Sequence, residues 1–488
     1  MLDLGAILRT SVRFSLANVA GGALSSAAYI LAARRLGPVG FGVVGFVQLW
    51  LLYASFLKPG ILQAGYREML HELGRDDAPR AMRIEGVALV GEAAFLTVPL
   101  ALFMAGAVLQ TDPLLRTALL FGAASFLANA LYQGVDTIQW AYRRFTLTAR
   151  VNMLVKLGQP LLLLTGLYAF GLWGVLAAPM VTALGALAYY LLRTKGLHYT
   201  FAWDVRELRG LLAVGLPFSL YGALYWAFRT ADRSLVAAAL PLAALGAYSF
   251  AMTFITQACQ LVSDFLNVLQ AELFTSLGKT GSVRPLASRV TTLQLLILCG
   301  TGAAAGLAQA AVPFASHTLV PAFAEASGAY EVMCLLVAST SASLLATTLL
   351  LSKVVNGQKP LSAVQAGALV LFGALGTLTV SSGGGLGAIA WCAIAAQAAA
   401  AAAAWRLLHG HLFEGAPAGE AAVFYGRMAG LAACAVAVHF LLRHPWLADI
   451  SLPEAALRAA VAAAAWTMAG LTLVRPAWRA SAADDGMV

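Results

Sequence analysis

The chain has 488 residues, of which 60% are apolar and only 11% charged, with a formal net charge of +9. Soluble globular chains carry about 25% charged residues, so this composition excludes a soluble enzyme or binding module and points to an integral membrane protein. Apolar stretches of about 18–25 residues, each long enough to cross roughly 30 Å of hydrocarbon, recur along the whole length and select helices over a barrel. The positive charge is spread over many short connections, which fits membrane topology and anionic lipid and excludes nucleic acid as the partner.

In chain order, spans are predicted near residues 11–33, 39–62, 84–108, 114–137, 147–170, 173–192, 211–231, 236–262, 290–312, 330–352, 361–380, 385–407, 428–443 and 455–474. With the N-terminus inside, the outer side holds Arg34, Arg35, Arg116, Arg229, Arg233, Arg443 and Arg458. Lys58 then lies within a span, and the other 23 of the 31 Lys and Arg residues are cytoplasmic. Lys and Arg accumulate in cytoplasmic loops, so both termini are placed inside. The N-terminus shows no short apolar region followed by a cleavage site, and the first span is read as a retained anchor. Connections are short, the longest about 20 residues, which leaves no room for a soluble domain.

Polar groups inside lipid are costly, about 2.5–3.5 kcal/mol for Lys or Asp at the centre of an inserted helix, so their spacing is informative. Span 1 carries Ser11, Ser15, Asn18, Gly22, Ser25 and Tyr29 on one helical face. Span 2 carries Gln48, Ser55 and Lys58. Lys58 falls about 27 Å below the outer end at 1.5 Å per residue, near an inner mouth, where it either snorkels or lines the cavity. Glu92 sits about a third of the way across span 3 with no stripe around it, and is read either as a carrier of a coupling proton or as one half of a buried pair. Span 4 adds Asn129, Gln133 and Asp136, and span 5 adds Asn152, Lys156 and Gln159.

Span 7 carries Ser219, Trp226, Arg229, Thr230 and Arg233. At its outer end Arg229, Asp232 and Arg233 read either as a local ion pair or as an anion contact. The strongest signal runs along span 8, where Thr253, Gln257, Gln260, Asp264 and Asn267 follow steps of four, three, four and three and form one stripe. Any single polar residue is as well explained by interhelical adhesion, worth roughly 0.6 kcal/mol. Five successive stripe positions favour the lining of a wet cavity. Asp136 and Asp264 join Glu92 as candidates for ion coupling, to H+ or Na+. Spans 11–14 lack comparable stripes and are expected to face lipid or buttress the rest.

Cys259, Cys299, Cys334, Cys392 and Cys434 all lie inside apolar spans without a C-x-x-C pair, so neither a disulfide nor a metal has support. No cofactor is expected. His71, His198, His409 and His411 fall in inner connections and read as solvated, while His317 and Glu325 belong to the longest outer one. Pro99, Pro160, Pro179 and Pro217 allow bends, and the alanine run 398–404 favours close helix packing. An offset of 204 residues brings Leu36, Gly42 and Phe46 onto Leu240, Gly246 and Phe250, turn upon turn. An even number of spans separates the two copies, which predicts two similarly oriented lobes related by an axis along the membrane normal. The expected organisation is a six-helix lobe over residues 1–200, a second over 201–410, and two added helices in 411–488.

The segment A-R-R-L-G-P-V-G-F-G from Ala33 to Gly42 resembles the signature after the first span of bacterial polysaccharide-transport flippases, the Wzx-type branch of the multidrug and oligosaccharidyl-lipid exporter superfamily. Pro59 to Arg67, G-L-P-F-S at Gly215 to Ser219, the Arg229 to Arg233 cluster and Leu245 to Tyr248 are similar to further motifs of that family, in the same order. The resemblance implies an all-α polytopic fold of about 14 spans, two six-helix lobes in pseudo-twofold relation around a central cavity and two extra C-terminal helices. It also implies a monomer in the bacterial cytoplasmic membrane that moves undecaprenyl-diphosphate-linked oligosaccharide units to the outer leaflet by alternating access. Basic cavity residues would meet the diphosphate, and Lys58, Arg229 and Arg233 are the candidates here. Two rivals remain: a cation-coupled multidrug exporter of the same fold, which would want an acidic, aromatic pocket, and a membrane glycan polymerase or ligase, which would want a large catalytic outer loop.

Overall fold

The computed structural model describes residues 4–194, 200–352, 354–444 and 451–484. Side chains are described from Ala20 onward, apart from those of residues 74, 218, 261, 264–272, 274–276, 278–280, 418 and 480–484. The described chain is helical throughout and contains no strand. Its α-helices are α1 (Leu4–Phe56), α2 (Ile61–Gly74), α3 (Ala78–Phe95), α4 (Thr97–Leu109), α5 (Pro113–Ala141), α6 (Phe145–Phe170), α7 (Leu172–Arg193) and α8 (Val205–Ala239). They continue with α9 (Leu242–Thr280), α10 (Ala287–Leu319), α11 (Ser327–Leu350), α12 (Gln358–Ser381), α13 (Leu386–Leu412), α14 (Ala418–Leu442), α15 (Leu452–Ala469) and α16 (Arg475–Asp484). Among the described residues, thirteen helical stretches are long and apolar enough to cross a membrane. The protein is a multi-pass membrane protein.

The predicted spans 1 and 2 share one of these stretches, Ala20–Phe56. The 53 residues of α1 would extend about 80 Å at 1.5 Å per residue, far beyond a bilayer, but the helix is broken. Gly37 adopts φ 67° and ψ −179°, and Pro38 after it cannot donate the backbone hydrogen bond that would continue the ladder. Leu242, the first residue of α9, stands 204 residues after Pro38, so the offset seen in the sequence sets one turn over another.

A second break cuts into the predicted span 2. The apolar pattern carries that span to residue 62, whereas the helix ends at Phe56 and α2 begins afresh at Ile61. Pro59 disfavours helical backbone at Lys58 before it. Gly60 then turns the chain at φ 71°. Lys58 therefore stands in a gap between two helices and not within a span.

The chain divides into two compact units, Met1–Ala227 and Phe228–Val488. In the first, three apolar clusters join the helices. Ile61, Met69, Ile84, Val87, Ile138, Leu208 and Leu211 knit α2, α3, α5 and the start of α8. Leu96, Phe103, Leu119 and Phe126 pack α4 on α5 with Ala54 of α1, and Val151, Ala186 and Tyr190 seat α6 and α7. Lipid offers no hydrophobic drive for helix association, so close backbone approach does much of the work. A Cβ at Gly174 of α7 would lie 2.0 Å from the Gly166 carbonyl oxygen of α6.

In the second unit α11 is the most enclosed helix, with Met333, Leu345, Ala346 and Leu349 fully buried. The Trp405 indole of α13 donates to the Ala342 carbonyl of α11 (2.8 Å), and Ser339 and Thr340 both donate to Gln397 Oε1 (3.0 and 2.7 Å). The alanine run serves this packing, with Ala400, Ala401 and Ala404 buried. Helix α15 lies on α10 through Trp466, whose ring covers Gly302 and Gly306.

Candidate functional site

The gap after α1 aims Lys58 at α3 and α5. Its Nζ lies 3.4 Å from Glu92 Oε1, donates to Gln133 Oε1 at 3.3 Å, and sits 5.7 Å from the centroid of the Phe126 ring. Glu92 is 5% exposed, and its Oε2 is buried without a hydrogen-bond partner. Isolated buried charges cost several kcal/mol each, and the contact sets opposite charges side by side. The aromatic face adds a favourable electrostatic contact with the ammonium.

The same gap rests on α8. A Cβ at Gly60 would lie 2.2 Å from Ser219 Oγ and 2.9 Å from the Gly215 carbonyl oxygen, so only glycine permits this approach. In this way the local sequence Lys58-Pro59-Gly60 brings residues predicted on spans 2, 3, 4 and 7 to one place.

Other predicted residues separate from that group. Asp136 accepts a hydrogen bond from the Tyr190 hydroxyl of α7, whose ring stacks on Tyr132 with centroids 6.2 Å apart. Asn129 Nδ2 donates to the Ser125 carbonyl (2.9 Å), Ser55 Oγ to Leu51 (2.9 Å) and Thr253 Oγ1 to Ser249 (2.9 Å), each within its own helix. Such back-bonding satisfies a hydroxyl or amide in lipid at no cost to neighbours. Ser25, Tyr29 and Gln48 are half-buried, with the Tyr29 ring edge-on to Phe41 at 6.2 Å. Trp226 is 42% exposed and meets Tyr225 edge to face. Gln257 is half-buried and Gln260 exposed. The side chains of Asn18 and Asp264 lie outside the described residues, so the lower end of the α9 stripe is not seen.

Asp232 of α8 is buried and accepts from the Tyr248 hydroxyl of α9 (2.7 Å) and from the Arg233 backbone N–H (2.7 Å). It thus ties α8 to α9. Arg229 and Arg233 stay half-buried, and Arg233 Nε is enclosed without a hydrogen-bond partner.

Two polar features are not foreshadowed by any stripe or motif in the sequence. Glu85 of α3, 1% exposed, accepts from the Tyr142 hydroxyl at 2.7 Å. Burial first, and then the Glu85 carboxylate, push the Tyr142 hydroxyl well above its ordinary range and keep it a donor. In the second unit, Glu331 of α11 receives Arg458 of α15 at 2.8 Å and Arg443 at the end of α14 at 3.3 Å. Gln309 of α10 donates to the Glu331 carbonyl (2.8 Å) and meets His439 Nδ1 of α14 (3.2 Å). Opposite charges entering three otherwise apolar spans were the available signal. Nearby, an apolar pocket of about 540 Å³ is lined by Leu335, Ala398, Ala402, Trp405, Tyr425 and Trp466 among others.

No protein-family model matches the sequence, and no curated protein does. Solved structures do match. The lipid II flippase MurJ in an inward closed conformation superposes with TM-score 0.67 at 12% identity, covering 95% of this chain and 99% of that one. An inward-facing multidrug resistance MATE family transporter of the MOP superfamily gives 0.66 at 13% identity, over 86% of this chain and 98% of that one. A MATE structure in the straight conformation gives 0.55 at 14%, over 83% and 96%. The chain has the fold that these structures share. At these identities the likeness shows the fold, and both kinds of neighbour are transporters and not enzymes.

Proposed function

We propose that the chain is a flippase for undecaprenyl-diphosphate-linked oligosaccharide, moving the head group from the inner to the outer leaflet of the bacterial cytoplasmic membrane by alternating access of two six-helix lobes. The observation that carries this reading is the chemistry of the polar groups within the spans. Amides and hydroxyls, among them Gln48, Gln133, Gln257 and Ser219, stand there beside the cations Lys58 in the gap after α1 and Arg229 and Arg233 of α8. Each sugar hydroxyl stripped of water without a partner costs several kcal/mol, and amides are suited to replace that water. A cationic drug would instead call for uncompensated carboxylates, whereas Glu92, Asp136 and Asp232 are each engaged by a neighbour.

The extent of the structural likeness supports the same side. The lipid II flippase overlay leaves out about 24 residues, fewer than α14 (25 residues) and α15 (18 residues) together, so it takes in part of these C-terminal helices. The multidrug transporter overlay leaves room to omit both. Within the second unit, the apolar pocket beside α14 offers a place for part of an isoprenoid tail. An inside-negative potential favours export of the anionic linkage by about 2.3 kcal/mol per charge per 100 mV. Coupling to H+ or Na+ through Glu92, Asp136 or Asp264 would add to that drive.

Leaflet transfer of a labelled lipid-linked oligosaccharide in reconstituted vesicles tests the proposal. Transfer many-fold above that of empty vesicles is expected. Equal transfer rejects a flippase.

A further inference from the structure

The Lys58–Glu92 pair has an open side and a trapped side, and the asymmetry has a chemical consequence. Lys58 keeps 16% of its side chain accessible, and its partner Gln133 is exposed. Its two polar contacts, at 3.4 and 3.3 Å, are longer than the roughly 2.7–2.9 Å of tight charge-assisted hydrogen bonds. Its backbone belongs to no helix, so the ammonium is not fixed by a helical rotamer. Glu92, in contrast, is enclosed.

Three carboxylates on the elements packed around Glu92 have partners of their own. On α3 itself Glu85 is turned to Tyr142, on α5 Asp136 is turned to Tyr190, and on α2 Glu72 faces Arg80. The part of α8 packed here offers Leu208, Leu211, Gly215 and Ser219. Among the described residues Lys58 is the cation within ion-pair distance of Glu92.

We propose that this pair is an exchange site, in which a phosphate-bearing anion takes Glu92's place on Lys58 and the displaced Glu92 carboxylate takes up one proton from solution. The inference rests on the proposed substrate having an anionic phosphate linkage. One ion contact breaks, between Lys58 Nζ and Glu92 Oε1, and one forms, between Lys58 Nζ and a phosphate oxygen. Hydronium supplies the proton, no bond to phosphorus changes, and one proton enters for each anion bound. A buried carboxylate deprived of its cation neutralises because leaving it charged costs more than protonating it. Anion binding and proton uptake are then one event, and the proton offsets one of the negative charges that the anion brings.

Titration calorimetry on the purified full-length protein, in two buffers of different ionisation enthalpy, reads the coupling. The probes are inorganic pyrophosphate and a short-chain isoprenyl diphosphate. Each is compared with Glu92→Gln so that the probe's own ionisation cancels. The expected result is about one extra proton taken up per anion by the parent protein, and an affinity that weakens about tenfold per pH unit where Glu92 would otherwise be ionised. Glu92→Gln should bind without that uptake, Lys58→Gln should lose at least about tenfold in affinity, and Lys58→Arg should restore much of it. Binding of the isoprenyl probe alone assigns the site to a lipid head group, and equal binding of both assigns it to phosphate itself. Uptake that persists in Glu92→Gln, binding with no uptake, or failure of both probes to bind overturns the exchange. Because Glu92→Gln is isosteric, it decides the matter even where Lys58→Gln fails to fold. Absence of leaflet transfer alongside proton-linked binding would reject the flippase and leave the exchange site standing.

Discussion

Among the described residues, the Glu331 cluster and the Lys58–Glu92 pair are built for different purposes. The Glu331 cluster is closed. Its carboxylate meets Arg458 at 2.8 Å and Arg443 at 3.3 Å, its residue is held again through the backbone by Gln309, and the partners come from α10, α14 and α15. The Lys58–Glu92 pair is loose, has one cation and one anion, and stands at a broken helix with one side accessible. Arg458 is 4% exposed, so its pairing fastens a C-terminal helix to the second unit, whereas Lys58 has somewhere to go. The difference teaches that a charge within a span signals function through the freedom of its partner, more than through its presence.

The largest effect that would break this comparison lies in the closed cluster. Glu331→Leu leaves two guanidinium groups without their carboxylate and should cost about 3–5 kcal/mol in denaturant unfolding, while the joint change Glu331→Leu with Arg458→Met should recover a large part. Next is Gly302→Leu, since a Cβ there would lie 2.0 Å from the Trp466 ring; a loss of about 1–3 kcal/mol is expected, partly recovered by adding Trp466→Ala. Glu92→Gln should cost less than Glu331→Leu, about 1–2 kcal/mol by the same unfolding measurement, because Lys58 keeps Gln133 and an accessible side. A cost equal to that of Glu331→Leu would make the two pairs alike. Smallest of all, Arg80→Ala removes a pairing with Glu72 from a side chain 57% exposed and should shift stability by no more than about 0.5 kcal/mol.

Much of the fold is legible in the sequence because membrane helices announce themselves by length and apolar composition, and because the turns at Gly37–Pro38 and Pro241–Leu242 stand 204 residues apart. The site is legible only in its members. Lys58, Glu92 and Gln133 each stand out as polar groups in apolar surroundings, yet periodicity along one helix cannot say which groups on different helices meet. The gap at Lys58 is masked because the hydrophobic run continues through Ile61 and Leu62, although Pro59-Gly60 is the local clue. The Glu331 cluster is masked because its charges come singly, one per span, and because Arg443 and Arg458 fit equally well as outer charges.

Whether the amide-bearing faces of α5 and α9 meet water decides most directly if this chain handles a polar head group. Single cysteines at positions 133 and 257, in a protein whose five native cysteines are replaced, can be reacted with a charged, membrane-impermeant thiol reagent in vesicles. Rapid modification that lipid-linked oligosaccharide slows is the expected result. Modification by apolar reagents alone, indifferent to the glycan, would mean that these faces lie against acyl chains or packed protein and would contradict a wet path for a sugar head group.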